Sequence, residues 1–255
     1  MNVDPLKAFV IGMGEVGRRL ASALAAAGVE ALPVTRASGW SEALTDHSGL
    51  VLVCVREEAL PEVVARLRGV PSRRLIFVQN GWVRPLLAAS PDCSRGLIWF
   101  TSKGDFLRVL RPSVFAGPQA QSIAAILSRG GVPSVAVDER AFAAAEAEKM
   151  GFNCVVGLPL AVHQVSLADY LKGHPDEARA VFEEAAGVTA RALMADASPQ
   201  WWVEFLHLSV PLGWVRAAAA KALEYRNGAV VRLARDLGLD APTNARLLKA
   251  IGCPV

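Results

Sequence analysis

Three glycines, Gly12, Gly14 and Gly17, stand in the spacing G-x-G-x-x-G between an apolar run at 7–12 and a helical pattern over 15–27. No other feature limits so sharply what this chain can fold into. Gly12 permits a tight reversal, Gly14 lets the backbone approach a bound group, and Gly17 lets a helix lie close to a strand. The helix opening there offers unpaired N–H groups and positive potential, which suits a pyrophosphate. Gly12, Met13, Gly14, Glu15, Val16 and Gly17 are therefore candidate dinucleotide contacts. A lone glycine-rich turn is a weak signal, but this one sits inside the first strand–helix–strand unit.

The flanking chain agrees. Apolar runs at 7–12, 30–35, 50–55, 74–79, 96–102 and 133–138 read as strands covered on both faces. Helical patterns at 15–27, 57–68 and 119–129 fall between several of them. This alternation predicts an α/β fold: a Rossmann-type doubly wound parallel sheet over 1–138. Beyond Asp138, a well-placed N-cap, every pattern is helical, including an alanine-rich stretch at 217–224, which predicts an all-α domain over 139–255. A chain of 255 residues has room for two modest cores.

Composition narrows the function. A formal charge of +3 with scattered basic residues argues against nucleic acid and against an anionic membrane. The four cysteines lie far apart without metal-ligand spacing, so neither zinc nor a disulfide framework is expected. His163, His174 and His207 are scattered, with no carboxylate or cysteine at ligand spacing, and no metal is expected. The first residues lack a secretory pattern and no apolar run is long enough to span a bilayer, so a reduced, cytoplasmic protein is expected. Trp201 and Trp202 are expected in the core or at a subunit contact, which leaves a homodimer open.

The end of the second strand bears on the cofactor. An acid about 20 residues after the glycines would accept the ribose 2′-hydroxyl of NAD. This chain has Arg36 there, in "VTRAS", and an arginine can grip a 2′-phosphate. NADP(H) is thus favoured over NAD. Farther on, Lys149 and Asn153 are four residues apart, within about 40° of one another on a helix. Their surroundings are apolar, so a lysine there either faces a cleft or pairs at the surface with Glu146 or Glu148. Facing a cleft, its ammonium can donate a proton to a carbonyl or stabilise an alkoxide. Asn80 follows the fourth strand, at the end of the sheet where ligands bind in such folds, and Gly81 suggests a turn with positive φ.

Four segments, "VIGMGEVG", "VQNGW", "EKMGFNCVVGLPLAV" and "EYRNGAVVRLARDLGLDAPTNARLL", resemble the ketopantoate reductase family. These are NADPH-dependent 2-dehydropantoate 2-reductases of pantothenate biosynthesis, related in architecture to 6-phosphogluconate dehydrogenase. The similarity runs over most of the chain, through Lys149, Asn153, Asn227, Gly228, Pro242 and Asn244. It implies Lys149 as the proton donor and Asn80, Asn153 and Ser209 as substrate contacts, with Asn80 also beside the nicotinamide. Arg56 stands where the family usually has a lysine and is a further cofactor candidate. The chain departs from the pattern at Gly157, where the second asparagine is lost, and at Ala222, where the active-site glutamate is expected. Glu224 is two residues on, about 200° away if the segment is helical. The family's serine falls on Val210, beside Ser209, with Pro211 expected to kink the helix. The resemblance implies an NADPH-dependent reductase of a small 2-keto acid. A non-catalytic NADP(H)-binding or redox-sensing protein, and a related dehydrogenase of a hydroxy acid or imine, remain alternatives.

Overall fold

The structure is a computed structural model that describes residues 6–35, 38–46, 48–104, 106–217 and 222–253. The chain folds as two compact units, one formed by the chain up to Gln79 together with Val83–Phe142, the other by Asn80–Trp82 together with Ala143–Val255.

The first unit is a sheet flanked by helices. Strands β1 (Lys7–Ile11), β2 (Glu30–Val34), β3 (Leu50–Val53), β4 (Leu75–Phe77) and β5 (Ser94–Leu97) are followed by a hairpin of β6 (Phe100–Lys103) and β7 (Phe106–Val109), then β8 (Ser113–Ala116) and β9 (Ser134–Ala136). The order across the large sheet is β2-β1-β3-β4-β5-β8-β9, with β6 and β7 forming a separate two-stranded sheet. Every pair in the large sheet is parallel except β5–β8. The register sets Phe9 opposite Leu32 and Val51, and Val10 opposite Pro33 and Leu52. Pro33 is accommodated because β2 is an edge strand, where a missing N–H leaves no ladder bond broken.

Period-two alternation divides the strand residues between two buried faces. Ala8, Val10, Leu52, Ile76 and Phe115 share one core with Leu20, Ala23 and Leu24 of α1 (Glu15–Ala26). Ile123, Ala124 and Leu127 of the helix over Ala120–Arg129 complete it. Phe9, Ile11, Val51, Val53 and Phe77 point the other way and are also buried. Near-continuous apolar runs are what a sheet covered on both faces requires.

Two strand expectations change. The run 96–102 splits, because the chain leaves the sheet after Leu97 and starts the hairpin at Phe100. Trp99 at the break is fully buried, with its N–H donated to Ser113 Oγ and its carbonyl accepting from Leu110 N. The sheet instead continues through β8, a four-residue strand between Pro112 and Gly117.

The second unit is helical. We number its helices on from α1: α2 (Glu139–Val155), whose first turn lies in the first unit, then α3 (Leu158–His163), α4 (Leu167–Gly173), α5 (Pro175–Leu193), α6 (Gln200–Ser209), α7 (Asn227–Leu237) and α8 (Pro242–Ala250). Asp138 caps α2 by accepting from Ala141 N at 2.7 Å. Helix α5 is the hub, packing against α4, α6, α7 and α8. Phe152, Phe182, Trp202 and Phe205 form an aromatic cluster with centroids 5.2–5.6 Å apart. As expected from Pro211, α6 stops at Ser209 and passes into a 3₁₀ turn over Val210–Leu212.

A polar knot ties four of these helices together. Asn227 Nδ2 donates to Asn244 Oδ1 at 2.8 Å and to the Cys154 carbonyl at 3.3 Å. Asn244 Nδ2 in turn donates to Glu184 Oε2 at 2.8 Å. The same carboxylate accepts the N–H groups of Thr243 and Asn244, each at 2.9 Å, so a residue of α5 caps the start of α8. Asn227 and Asn244 are almost fully buried, and their amides find these partners within the knot.

The expectation of helix at 217–224 is corrected at Ala222; residues 218–221 lie outside the described residues. Ala222 is left-handed, φ 50°, and opens a 3₁₀ turn over Leu223–Tyr225. Helical geometry therefore does not relate Ala222 to Glu224, which is exposed and whose carbonyl accepts from Arg232.

Asn227→Ala leaves the Asn244 carbonyl oxygen without its donor in a buried site. Urea unfolding of the full chain is expected to show a loss of roughly 1–3 kcal/mol; stability equal to wild type would mean that the knot contributes nothing.

Candidate functional site

Strand order creates a switch point. From β1 the chain passes to β2 on one side and then to β3 on the other, so a crevice opens beyond the carboxyl ends of β1 and β3. The glycine turn lies there, and each glycine has its own physical reason. Gly12 has φ +94°, and a Cβ on it would stand 2.8 Å from Val55 N and Val55 Cγ1 in the loop after β3. A Cβ on Gly17 would stand 1.9 Å from the Gly12 carbonyl oxygen, so only glycine lets α1 start this close to β1. A Cβ on Gly14 would meet nothing within 4 Å. Gly14 is the N-cap of α1 and has no side chain to satisfy the first turn; the first backbone bond of the helix is Arg18 N to Gly14 O. The N–H groups of Glu15, Val16 and Gly17 precede it, so they fit an anionic group approaching over Gly14.

Neighbouring side chains brace this turn. Arg18 donates to the Met13 carbonyl at 3.2 Å and to Glu15 Oε1 at 2.7 Å. Glu15 Oε2 accepts from Gly104 N, at the turn between β6 and β7. A residue that sequence reasoning missed, Gln79, holds the loop after β3: its Nε2 donates to the carbonyls of Val53 (2.8 Å) and Val55 (3.1 Å). Its buried Oε1 has no hydrogen-bond partner. Arg56 is exposed and caps the 3₁₀ turn Glu57–Ala59. Arg36 lies outside the described residues, though Thr35 and Ser38 on either side of it are joined, with Thr35 N donating to Ser38 Oγ at 2.8 Å. Burial pushes the Cys54 thiol up to about 12, which removes it as a nucleophile near neutral pH.

The remaining candidates belong to the helical unit. Lys149 is 6 % exposed and Asn153, one turn along α2, is 8 % exposed, in a stretch of that helix, residues 146–155, that is buried all round. Lys149 Nζ lies 4.7 Å from the centroid of the Phe152 ring, a cation–π contact that suits a cation held away from water. Asn153 Nδ2 is buried without a hydrogen-bond partner. Asn80 Oδ1 is likewise buried without one. An unpartnered donor and an unpartnered acceptor are what a site leaves open for a polar ligand. Gly81, at φ +86°, brings its backbone against the Tyr225 carbonyl, which accepts from Trp82 N at 2.6 Å. Ser209 is buried at the end of α6, with its hydroxyl donated to the Leu206 carbonyl at 2.8 Å. Gly157 is the N-cap of α3. Burial also pushes the Cys154 thiol up to about 12, against a smaller opposing pull from Arg226.

The histidine expectation is corrected. His163 Nε2 is 2.7 Å from Glu177 Oε1, and the His163 and His174 rings stack with centroids 4.1 Å apart. The contact forms because the chain turns back between α3 and α5, which sequence spacing does not reveal.

No protein-family model matches the chain, and no curated protein matches it by sequence. Solved structures share its fold. A ketopantoate reductase from Ralstonia eutropha JMP134 is 18% identical, covering 96% of this chain and 97% of its own, with a TM-score of 0.76. A D-mandelate dehydrogenase in complex with NADH is 14% identical, covering 97% and 98%, with a TM-score of 0.77. A dimeric ketopantoate reductase from Staphylococcus aureus is 16% identical, covering 96% of each chain, with a TM-score of 0.69. The fold is that of the ketopantoate reductases, a Rossmann-type domain followed by helices. Among the described residues, no helix is long and apolar enough to cross a membrane.

Gly17→Ala and Gly14→Ala should separate packing from openness. Thermal and urea unfolding should show Gly17→Ala destabilised by about 1–3 kcal/mol or more, and Gly14→Ala within about 1 kcal/mol of wild type. Equal effects would contradict the distinct roles assigned to the two positions.

Proposed function

We propose that this chain is an NADPH-dependent reductase of a small 2-keto acid, with Lys149 as the proton donor. The observation that carries the reading is the buried Lys149 on α2, one turn from the unpartnered amide of Asn153. The open backbone over Gly14 and the free N–H groups of the first turn of α1 support a dinucleotide pyrophosphate at that place. The NADH complex of a dehydrogenase with the same fold supports a nicotinamide cofactor. Arg36, where an acid would select NAD, favours the 2′-phosphate of NADP(H), with Arg56 as a second cation for the cofactor.

Such a cofactor, when bound, supplies hydride to the carbonyl carbon. The protein's share is to complete the alcohol. The Lys149 ammonium donates a proton to the carbonyl oxygen as negative charge grows there, and its positive charge stabilises that oxygen until transfer is complete. Asn153 donates from its free Nδ2 and Asn80 accepts at its free Oδ1, so together they orient a substrate that carries both acceptors and a donor. Ser209 is a further substrate contact through its oxygen lone pairs, since its proton is already committed to Leu206.

Ala222 and Gly157, which stand where the resembled family has acidic and amide side chains, favour one other reading, a dinucleotide-binding protein without turnover. A screen of NADPH oxidation over branched and linear 2-keto acids separates the two, because binding without turnover on every member would sink the reductase reading. On an active substrate, Lys149→Ala should lower kcat by about 10²-fold or more. Retained turnover would remove its assigned role. Arg36→Asp should lower the preference for NADPH over NADH by roughly tenfold or more, measured as the ratio of kcat/KM values.

A further inference from the structure

The cluster at the junction of α3, α4 and α5 is unexplained by the proposed reduction. His163 ends α3, His174 is the residue between α4 and α5, and Glu177 lies in the first turn of α5. One nitrogen of each imidazole and a carboxylate oxygen of Glu177 all lie within 4.8 Å of one another. We propose that His163, His174 and Glu177 form a binding site for one divalent transition-metal ion of the zinc class.

The donor set points to the metal. Two imidazoles and one carboxylate suit Zn²⁺, Co²⁺ or Ni²⁺, whereas Mg²⁺ and Ca²⁺ require mostly oxygen ligands. Tetrahedral bonds of about 2.0–2.1 Å put ligand atoms roughly 3.3 Å apart. The His163–Glu177 distance of 2.7 Å is shorter than that value and the outer limit of 4.8 Å is longer, so the pair must separate and the more distant atoms close in, by side-chain torsions of half-buried residues. Three protein ligands leave a fourth position for water.

The carboxylate is prepared for this task. Arg246 Nη2 holds Glu177 Oε2 at 2.6 Å, leaving Oε1 as the ligand atom, and the Tyr170 hydroxyl donates to Oε1 at 3.0 Å. An ion bound at His163 Nε2 takes the place of the proton which that nitrogen shares with Glu177 Oε1 in the metal-free chain, and the proton moves to Nδ1 or leaves to solvent. An ionised carboxylate fixed by outer partners is the arrangement that tunes metal ligands. The Arg246 side chain is largely exposed, so water screens its charge from an incoming cation. His174 is the informative member: its ring stacks on His163 and Tyr170, and no hydrogen bond of that ring holds the rest of the cluster in place.

The test is a titration of the full chain, stripped of metal by chelation, with Zn²⁺ in competition with a chromogenic indicator. One Zn²⁺ per chain, at a dissociation constant on the order of micromolar or tighter, is the expected result, with a raised melting temperature. His174→Ala should weaken uptake by roughly 10–100-fold and abolish the thermal shift, while the exposed His207→Ala should change neither. Circular dichroism of His174→Ala should match wild type, because the His163–Glu177–Arg246 contacts do not pass through residue 174. Failure of the wild-type chain to take up one equivalent would overturn the site. So would His174→Ala and Glu177→Gln variants that bind as tightly as wild type, since the ion would then sit elsewhere. Reductase turnover plays no part in this readout, so either proposal can fail alone.

Discussion

The contact between Gly17 and the Gly12 carbonyl sets the geometry of the first unit. With no side chain at either position, α1 begins directly against the end of β1, and its axis then lays Leu20, Ala23 and Leu24 on the sheet. That placement leaves the first N–H groups of α1 unpaired at the crevice, because the residue that would cap them is another glycine. The loop after β3 has to fit against the same turn, and the buried amide of Gln79 fixes it there through two carbonyls. A packing requirement and an uncapped row of N–H groups are thus produced by a single local constraint.

The helical unit solves a different problem. Its helices pack alanine-rich faces around the aromatic cluster of Phe152, Phe182, Trp202 and Phe205, and apolar contacts of this kind are non-directional. The chain of amides and carboxylate through Asn227, Asn244 and Glu184 supplies direction, because hydrogen bonds are satisfied in one arrangement and costly to leave unmade in others. Asn227 and Asn244 belong to motifs of the resembled family, yet both are spent on architecture. Asn153 and Asn80, by contrast, keep buried polar atoms without partners. The same residue type is thus satisfied within the unit in one pair and left open in the other.

Much of the fold was legible in the chain because glycine spacing and apolar runs report local geometry directly. The one-turn spacing of Lys149 and Asn153 on α2 was legible for the same reason, whereas spacing alone left Lys149 open between a cleft and the surface. Three things were hidden. The departure from the sheet at Trp99 lies inside an unbroken apolar run, where periodicity cannot signal a change of partner. Ala222 adopts a left-handed conformation that alanine itself disfavours, so surrounding contacts decided it and propensity misled. Gln79 and the meeting of His163 with Glu177 depend on residues 14 to 26 positions apart, which only the folded chain brings together.

Residues Asn80–Trp82 form a three-residue excursion: they pack with the helical unit, while the stretches before and after them belong to the other. The backbone therefore passes between the units at three places, and no single cut yields both parts whole. A fragment beginning at Ala143 would lack the strap that Tyr225 grips through the Trp82 amide, and with it the open carbonyl of Asn80. Shuffling of domains in this architecture must carry that short piece along or rebuild it.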